Sequence, residues 1–234
     1  MGLYNNRIVV KVGTSTLTND AGKSDLRTTD RLACVLSDIQ NMGYEVVLVS
    51  SGAIAVGRNK LNMTAKPDSM RMKQAAAAVG QCSLMYLYDK FFGDYDKTVA
   101  QILLNADDIE EEEKKENLIN TFNALLEMGV IPIVNENDSV SYKEIESEDR
   151  LFGDNDMLSA VVAVLCRAKH LVIFSDIDGF YDHDPRLYPN AQLIDQIDTI
   201  DDIVYALAGG AGSRRGTGGM RTKLQAASLA TSQG

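Results

Sequence analysis

Cysteine, histidine and proline are scarce, at three, two and four residues in a chain of 234. Cys34, Cys82 and Cys166 lie far apart in the sequence and form no CxxC pair, which argues against a disulfide framework and a zinc site alike. They read as reduced thiols, mostly buried. His170 and His183 are isolated, so no nucleophilic triad or histidine-based metal site is suggested. Ser51 and Cys82 have no neighbouring base that would favour covalent catalysis. Positive charge is also in deficit: 23 Lys plus Arg face 33 Asp plus Glu, a formal charge of -10. That balance repels phosphate backbones and anionic membranes, so neither nucleic acid nor a membrane is an expected partner. An anionic small substrate must then be held by a few placed cations. No apolar run reaches membrane-spanning length, and the N-terminus passes straight into a strand-like segment without a signal peptide. A cytoplasmic protein is expected. Both GxxxxGK[ST] and GxGxxG are missing, so the two nucleotide folds that they mark lose support. No Pro/Ser-rich linker divides the chain, and one domain over residues 1–234 is the expectation.

What is present is an alternation of short apolar runs with longer amphipathic ones. Ile8 to Val12 reads as a buried strand, followed by Leu32, Val35, Leu36, Ile39 and Met42 at helical spacing and a stop at Gly43. Glu45 to Val49, Thr98 to Leu104, Val130 to Val134 and Leu171 to Phe174 are further strands. Met70 to Phe92, the stripe around Leu118 to Leu126, and Leu158 to Leu165 are helices. Strands separated by helix-length segments imply right-handed βαβ units, hence an α/β fold with a mostly parallel sheet covered on both faces. The acidic run Asp107 to Glu116 reads as a solvated helix start, where carboxylates suit the helix dipole.

The chemistry collects at strand ends. Lys11-Val-Gly-Thr-Ser15, Ser50-Ser-Gly52, Asn135-Glu-Asn-Asp138 and Ser175-Asp176 each follow an apolar run. In a parallel sheet these ends share one edge, where open α/β folds place their ligands. A lysine near the end of an apolar strand must reach water or meet an anion, and Gly13, Thr14 and Ser15 offer phosphate-binding groups; an ordinary strand exit fits equally. Ser51-Gly-Ala-Ile54 opens a helix whose free N–H groups suit an anion, or it is a plain cap. Asn135 to Asp138 and Gly153-Asp-Asn-Asp156 mix amides with acids, as the charged ends of an amino acid require, although a divalent cation or Asx turns would use the same residues. Six glycines between Gly209 and Gly219 lead into Met220-Arg-Thr-Lys223 and a helix. Such a segment can close on phosphates, or it is a surface loop with a solvated lysine.

Read together, these stretches resemble the amino acid kinase family, and within it the branch that acts on glutamate. The likeness rests on Val9-Val-Lys-Val-Gly-Thr-Ser15, Ser51-Gly-Ala-Ile-Ala-Val-Gly57, Lys73 to Gln81, Asn135-Glu-Asn-Asp138, Gly153-Asp-Asn-Asp156, Ser175-Asp176 with Gly179-Phe-Tyr181 and Asp184-Pro185, and Gly216-Thr-Gly-Gly-Met220 with Thr222-Lys223. The resemblance implies a three-layer αβα sandwich and transfer of the γ-phosphoryl group of Mg-ATP to the side-chain carboxylate of glutamate, the opening step of proline synthesis. Lys11, Lys223 and Asp156 would be catalytic, the aspartate holding the two lysines. Ser51, Asp138 and Asn155 would bind glutamate. Lys11, Ser175, Asp176, Thr217, Gly218, Gly219, Met220, Arg221, Thr222 and Lys223 would bind ATP, with Mg2+ carried by the nucleotide and no protein-held metal. Inhibition by proline and a dimeric or tetrameric assembly are further implications. The chain departs from the family pattern in Ser50 and Ser175, where threonine is usual, and in a longer charged loop from Tyr142 to Phe152. The PUA domain that many members carry is not expected here, and the family's closing strand is expected to be missing at the C-terminus. Rival readings are a relative acting on acetylglutamate, aspartate, carbamate or UMP, and a non-catalytic amino-acid sensor.

Overall fold

Apolar runs without polar alternation are what a strand covered on both faces requires. Arg7–Val12, Glu45–Ser50 and Ile131–Glu136 are such runs, and each is buried along nearly its whole length. The computed structural model describes residues 6–19, 23–65, 67–140, 155–208 and 219–233. Its first half runs β1 (Arg7–Val12), α1 (Thr14–Leu17), α2 (Leu26–Asn41), β2 (Glu45–Ser50), α3 (Ala53–Lys60), α4 (Met70–Gly93) and β3 (Val99–Leu104). The second half runs α5 (Asp107–Glu110), α6 (Glu112–Glu127), β4 (Ile131–Glu136), α7 (Asn155–Leu165), β5 (His170–Ile173), β6 (Phe180–Tyr181), β7 (Leu193–Ile194), α8 (Asp202–Leu207) and α9 (Met220–Gln233).

The main sheet has the order β3-β4-β2-β1-β5, and every neighbouring pair in it is parallel. β1 and β2 sit inside the sheet, so their side chains feed two separate cores by simple alternation. On one face Val10, Val12, Val46, Leu48, Ile131 and Ile133 pack against α2, α3 and α4. On the other Val9, Val47, Val49 and Val134 pack against α6, α7 and α9. Full burial of each such side chain is worth about 1.5–3 kcal/mol. The result is the three-layer αβα arrangement, with all strand C-termini of the main sheet on one edge. A smaller apolar cluster joins the antiparallel β6–β7 pair to α8 and the start of α9 through Phe180, Ala208 and Leu224.

α3 and α4 cross with their backbones nearly touching. A methyl group added at Gly57 would fall 1.7 Å from the carbonyl oxygen of Ala76, and one at Gly80 would fall 1.7 Å from that of Ala53. Only hydrogen fits at either position. The crossing fixes the first residue of α3 against the middle of the 24-residue helix α4.

Two expectations need correction, and one segment holds elements that periodicity does not reveal. The cysteines are not mostly buried: Cys82 lies exposed on α4, Cys34 is half-buried, and only Cys166 is enclosed. The acidic run does not open one helix. It is split at Glu111 into α5 and α6, because Glu111 adopts an extended conformation and the Asp108 carboxylate accepts from the Asn105 N–H at 2.8 Å, tying α5 back to the strand end. Lys114 and Lys115 pair with Glu111 and Glu112 one turn earlier, at 2.8 and 3.4 Å. Finally, the segment after β5 contains the β6–β7 pair and α8, which periodicity did not reveal because the paired strands have two residues each. Among the described residues no helix is long and apolar enough to cross a membrane.

Candidate active site

Lys11 lies in β1, an interior strand, with Val49 of β2 and Ile173 of β5 as its lateral neighbours. By strand alternation it points to the same face as Val9, the face covered by α7. That placement buries the lysine, leaving 6% of it exposed, and a buried ammonium requires an anion. The anion is Asp156, in the first turn of α7 and fully buried. Lys11 Nζ stands 2.7 Å from its Oδ1. Lys223, in the first turn of α9, places its Nζ 2.9 Å from the other carboxylate oxygen, Oδ2. Thr222 Oγ1 lies 3.5 Å from Oδ2 and 2.9 Å from the Gly219 carbonyl oxygen, which ties the start of α9 to the same carboxylate.

Two lysines sharing one carboxylate carry a net positive charge at the C-terminal edge of the sheet, in a chain whose overall charge is -10. Burial pushes the Asp156 carboxyl up. The ammonium of Lys11, and after it that of Lys223, outweighs this and holds the group below its ordinary 3.8. The aspartate is therefore ionised at neutral pH. It acts as a fixed counter-charge, and it cannot serve as a proton donor.

Beside this triad, Asn155 opens α7. Its Nδ2 donates to Ser51 Oγ at 2.5 Å, to the Ser50 carbonyl oxygen at 3.1 Å and to Asn135 Oδ1 at 3.4 Å. Asn135, near the end of β4, donates in turn to Gln81 Oε1 of α4 at 2.9 Å. Ser50 Oγ shares a 2.8 Å hydrogen bond with the Tyr88 hydroxyl, buried below it. Burial pushes the Tyr88 phenol well above its usual value, the bond to Ser50 offsetting this only in part, so it remains a neutral partner. Gly52, at φ 96°, turns the chain from β2 into α3, a conformation that L side chains rarely adopt. The helix cap is thus Gly52, which leaves the Ser51 side chain to meet Asn155.

Lys11, Asp156 and Lys223 therefore meet directly, as do Ser51 and Asn155. Asp138 sits half-exposed in the turn after β4, on the same sheet edge. Ser175 and Asp176 are exposed just beyond β5, whose neighbour β1 carries Lys11. Gly219, Met220, Arg221 and Thr222 lead into or begin α9, with Arg221 exposed. Thr217, Gly218, Gly153, Asp154 and the loop Tyr142 to Phe152 lie outside the described residues. His170 and His183 are both exposed, and the His183 ring lies tilted against that of Tyr188, centroids 5.3 Å apart, well away from the lysines in sequence and element. A surface cleft lined by Leu26, Val56, Cys82 and Tyr86 contains none of the polar residues named here. Sequence reading placed Asn135 in a cluster suited to the charged ends of an amino acid, named Gln81 only as the end of a matching stretch, and did not single out Tyr88. Helical spacing marks Gln81 and Tyr88 only as positions on α4, and their partners are at least 38 residues away in the chain.

Among the described residues no cluster of three metal-ligating side chains occurs. The donor set suits anions: two ammonium groups, hydroxyls, and backbone N–H groups at the start of α9. These could hold the phosphates of a nucleotide between Lys11 and Lys223.

A sequence model of the Amino acid kinase family matches residues 6–234. A glutamate 5-kinase of Clostridium perfringens (strain 13 / Type A) is 57% identical over 228 residues, 97% of this chain and 84% of that protein. One from Listeria innocua serovar 6a is 52% identical over 222 residues, 95% of this chain and 80% of that protein. Among solved structures, carbamate kinase from Giardia lamblia bound to AMP-PNP superimposes with a TM-score of 0.66 at 16% identity, covering 98% of this chain and 90% of its own. UMP kinase from Ureaplasma parvum gives 0.56 at 18% identity over 88% and 86% of the two chains. These structural likenesses establish the shared fold, whereas the sequence matches reach further. The chain, with its parallel sheet and its lysine-carboxylate-lysine edge, belongs to the amino acid kinase family.

Proposed function

We propose that the protein is a glutamate 5-kinase, transferring the γ-phosphoryl group of ATP to the side-chain carboxylate of L-glutamate within one amino acid kinase domain. The single observation that supports this most is Asp156 with Lys11 on one oxygen and Lys223 on the other. The acceptor is taken from the relatives, which are named for acting on glutamate and include one 57% identical to this chain.

The chemistry asks little else of the protein. The glutamate side chain has a pKa of about 4.3 and is already an anion at neutral pH, so no general base is needed. Its approach to a phosphate is opposed by charge: two unit charges 4 Å apart repel by about 4 kcal/mol at the effective dielectric of a protein surface. Lys11 and Lys223 offset that repulsion. Asp156 holds both ammonium groups at one place and keeps them from pairing with the reacting anions too tightly to release them. Ser51, Asp138 and Asn155 bind and orient the amino acid, which turns a collision into an aligned transfer. Lys11, Ser175, Asp176 and the segment Thr217 to Lys223 hold the nucleotide. Mg-ATP supplies the phosphoryl group and a divalent charge that screens it.

The experiment is to incubate the protein with Mg-ATP and glutamate and then add hydroxylamine, which traps an acyl phosphate as a hydroxamate. Product with glutamate, and not with acetylglutamate or aspartate, is expected. Product only with another acid would move the assignment to that acid, and none with any acid would leave a sensor. The reading also includes a cytoplasmic homo-oligomer sensitive to proline, tested by light scattering and by titrating proline into the same assay.

A further inference from the structure

A primary amide has a donor end and an acceptor end, so amides bonded in series fix one another's orientation. At neutral pH free glutamate offers two carboxylates, which only accept, and one α-ammonium, which only donates. Which end of a site amide faces the substrate therefore decides which of these groups it can bind.

Resting on the kinase reading, we propose that Gln81 is a positioning residue that sets this polarity together with the Ser50 carbonyl oxygen and so selects an acceptor carrying an α-ammonium group. Gln81 presents its acceptor oxygen to Asn135 Nδ2 at 2.9 Å. Asn135 is 2% exposed, so water has little access to satisfy a reversed orientation. Its Oδ1 is left to receive Asn155 Nδ2. That Nδ2 is at the same time committed to the Ser50 carbonyl oxygen and to Ser51 Oγ. Asn155 Oδ1 lies on the other branch of the planar group, and among the described residues none is found donating to it. It is the acceptor left for an ammonium. The relay starts from a fixed point, because the neighbouring Gly80 abuts the Ala53 carbonyl oxygen at the α3–α4 crossing and leaves the helix no room to shift. Gln81 acts through Asn135 and Asn155 and is not itself placed against substrate.

The test compares wild-type protein with Q81E, Q81M and Q81K, each first checked for a cooperative thermal transition. Glutamate and glutarate, the same dicarboxylate without the α-ammonium, are bound by calorimetry. KM for glutamate and ATP comes from the hydroxamate assay. Q81E keeps an acceptor facing Asn135 and should bind glutamate within about threefold of wild type. Q81M removes the acceptor and Q81K offers a donor; both should weaken glutamate roughly tenfold or more, as expected for losing a hydrogen bond to a charged group. ATP KM and glutarate affinity should stay within about threefold, so the preference for glutamate over glutarate collapses. Parallel weakening of both acids in Q81M and Q81K, or unchanged glutamate binding in both, would overturn the role of Gln81. Absence of hydroxamate from wild-type protein with glutamate would instead overturn the kinase reading itself.

Discussion

Asp156 shows how one buried side chain can organise several others. Removing its charge leaves Lys11 enclosed without a counter-ion, and breaking a buried pair in this way costs about 3–5 kcal/mol. D156N should therefore be destabilised by about 3 kcal/mol or more at neutral pH in urea denaturation. The pH dependence has a definite sign. The folded pKa lies below 3.8, so the contribution is complete above that value and is lost as pH falls through the folded pKa. The gap in stability between wild type and D156N should be constant from about pH 5 to 8 and shrink below about pH 4. A gap that widens in acid would mean that the lysines do not hold the carboxylate ionised. The lysines themselves act in the transfer. K11A and K223A are each expected to lower kcat by about 100-fold or more at saturating substrate, the typical effect of losing one preorganised stabilising group. N155A should mainly raise the glutamate KM, by roughly tenfold, leaving kcat within a few-fold.

Elements matter here for the distances that they impose. α3 is a short helix and would hold its N-terminal turn poorly on its own. It is anchored by the glycine crossing with α4, which also places Gln81 beneath the end of β4. A methyl group at Gly57 meets a backbone carbonyl, which no rotamer change can relieve, so the two helices must separate. G57A should cost about 1–3 kcal/mol, the usual range for overpacking. For a chain of this length that corresponds to a fall in Tm of roughly 2–10 °C in a thermal scan. Glutamate affinity should fall as well, because Ser51 and Gly52 ride on the displaced helix. Unchanged Tm and affinity would contradict so close a crossing. The α7 N-terminus is the other decisive element: a single helix start delivers Asn155 to the Ser51 side and Asp156 to the lysines.

At the scale of the whole molecule, a site assembled from β1, β2, β4, α7 and α9 should respond to ligand as one unit. Glutamate with Mg and a non-hydrolysable ATP analogue, each at about 100 times its Kd, should stabilise the fold by about 2.7 kcal/mol per ligand and raise Tm by several degrees. The same ligands should add much less to K223A. Much of this architecture was legible from residue order. Unbroken Val/Ile/Leu runs gave the strands, helical spacing gave the helices between them, and the polar residues just after each run gave the shared edge, because side-chain periodicity is a local property of the chain. The short pieces β6, β7 and the α5–α6 break escaped, since one or two turns or pairs carry no period. The sequence by itself determined which residues stand at strand ends and helix starts, and hence the parallel sheet and the family. Tertiary structure alone decided that Lys11, Asp156 and Lys223, spread over more than 200 residues, share one carboxylate. It likewise decided that Gln81 reaches Asn135 across 54 positions. Such pairings depend on strand order and helix docking, and neither leaves a periodic trace in the chain.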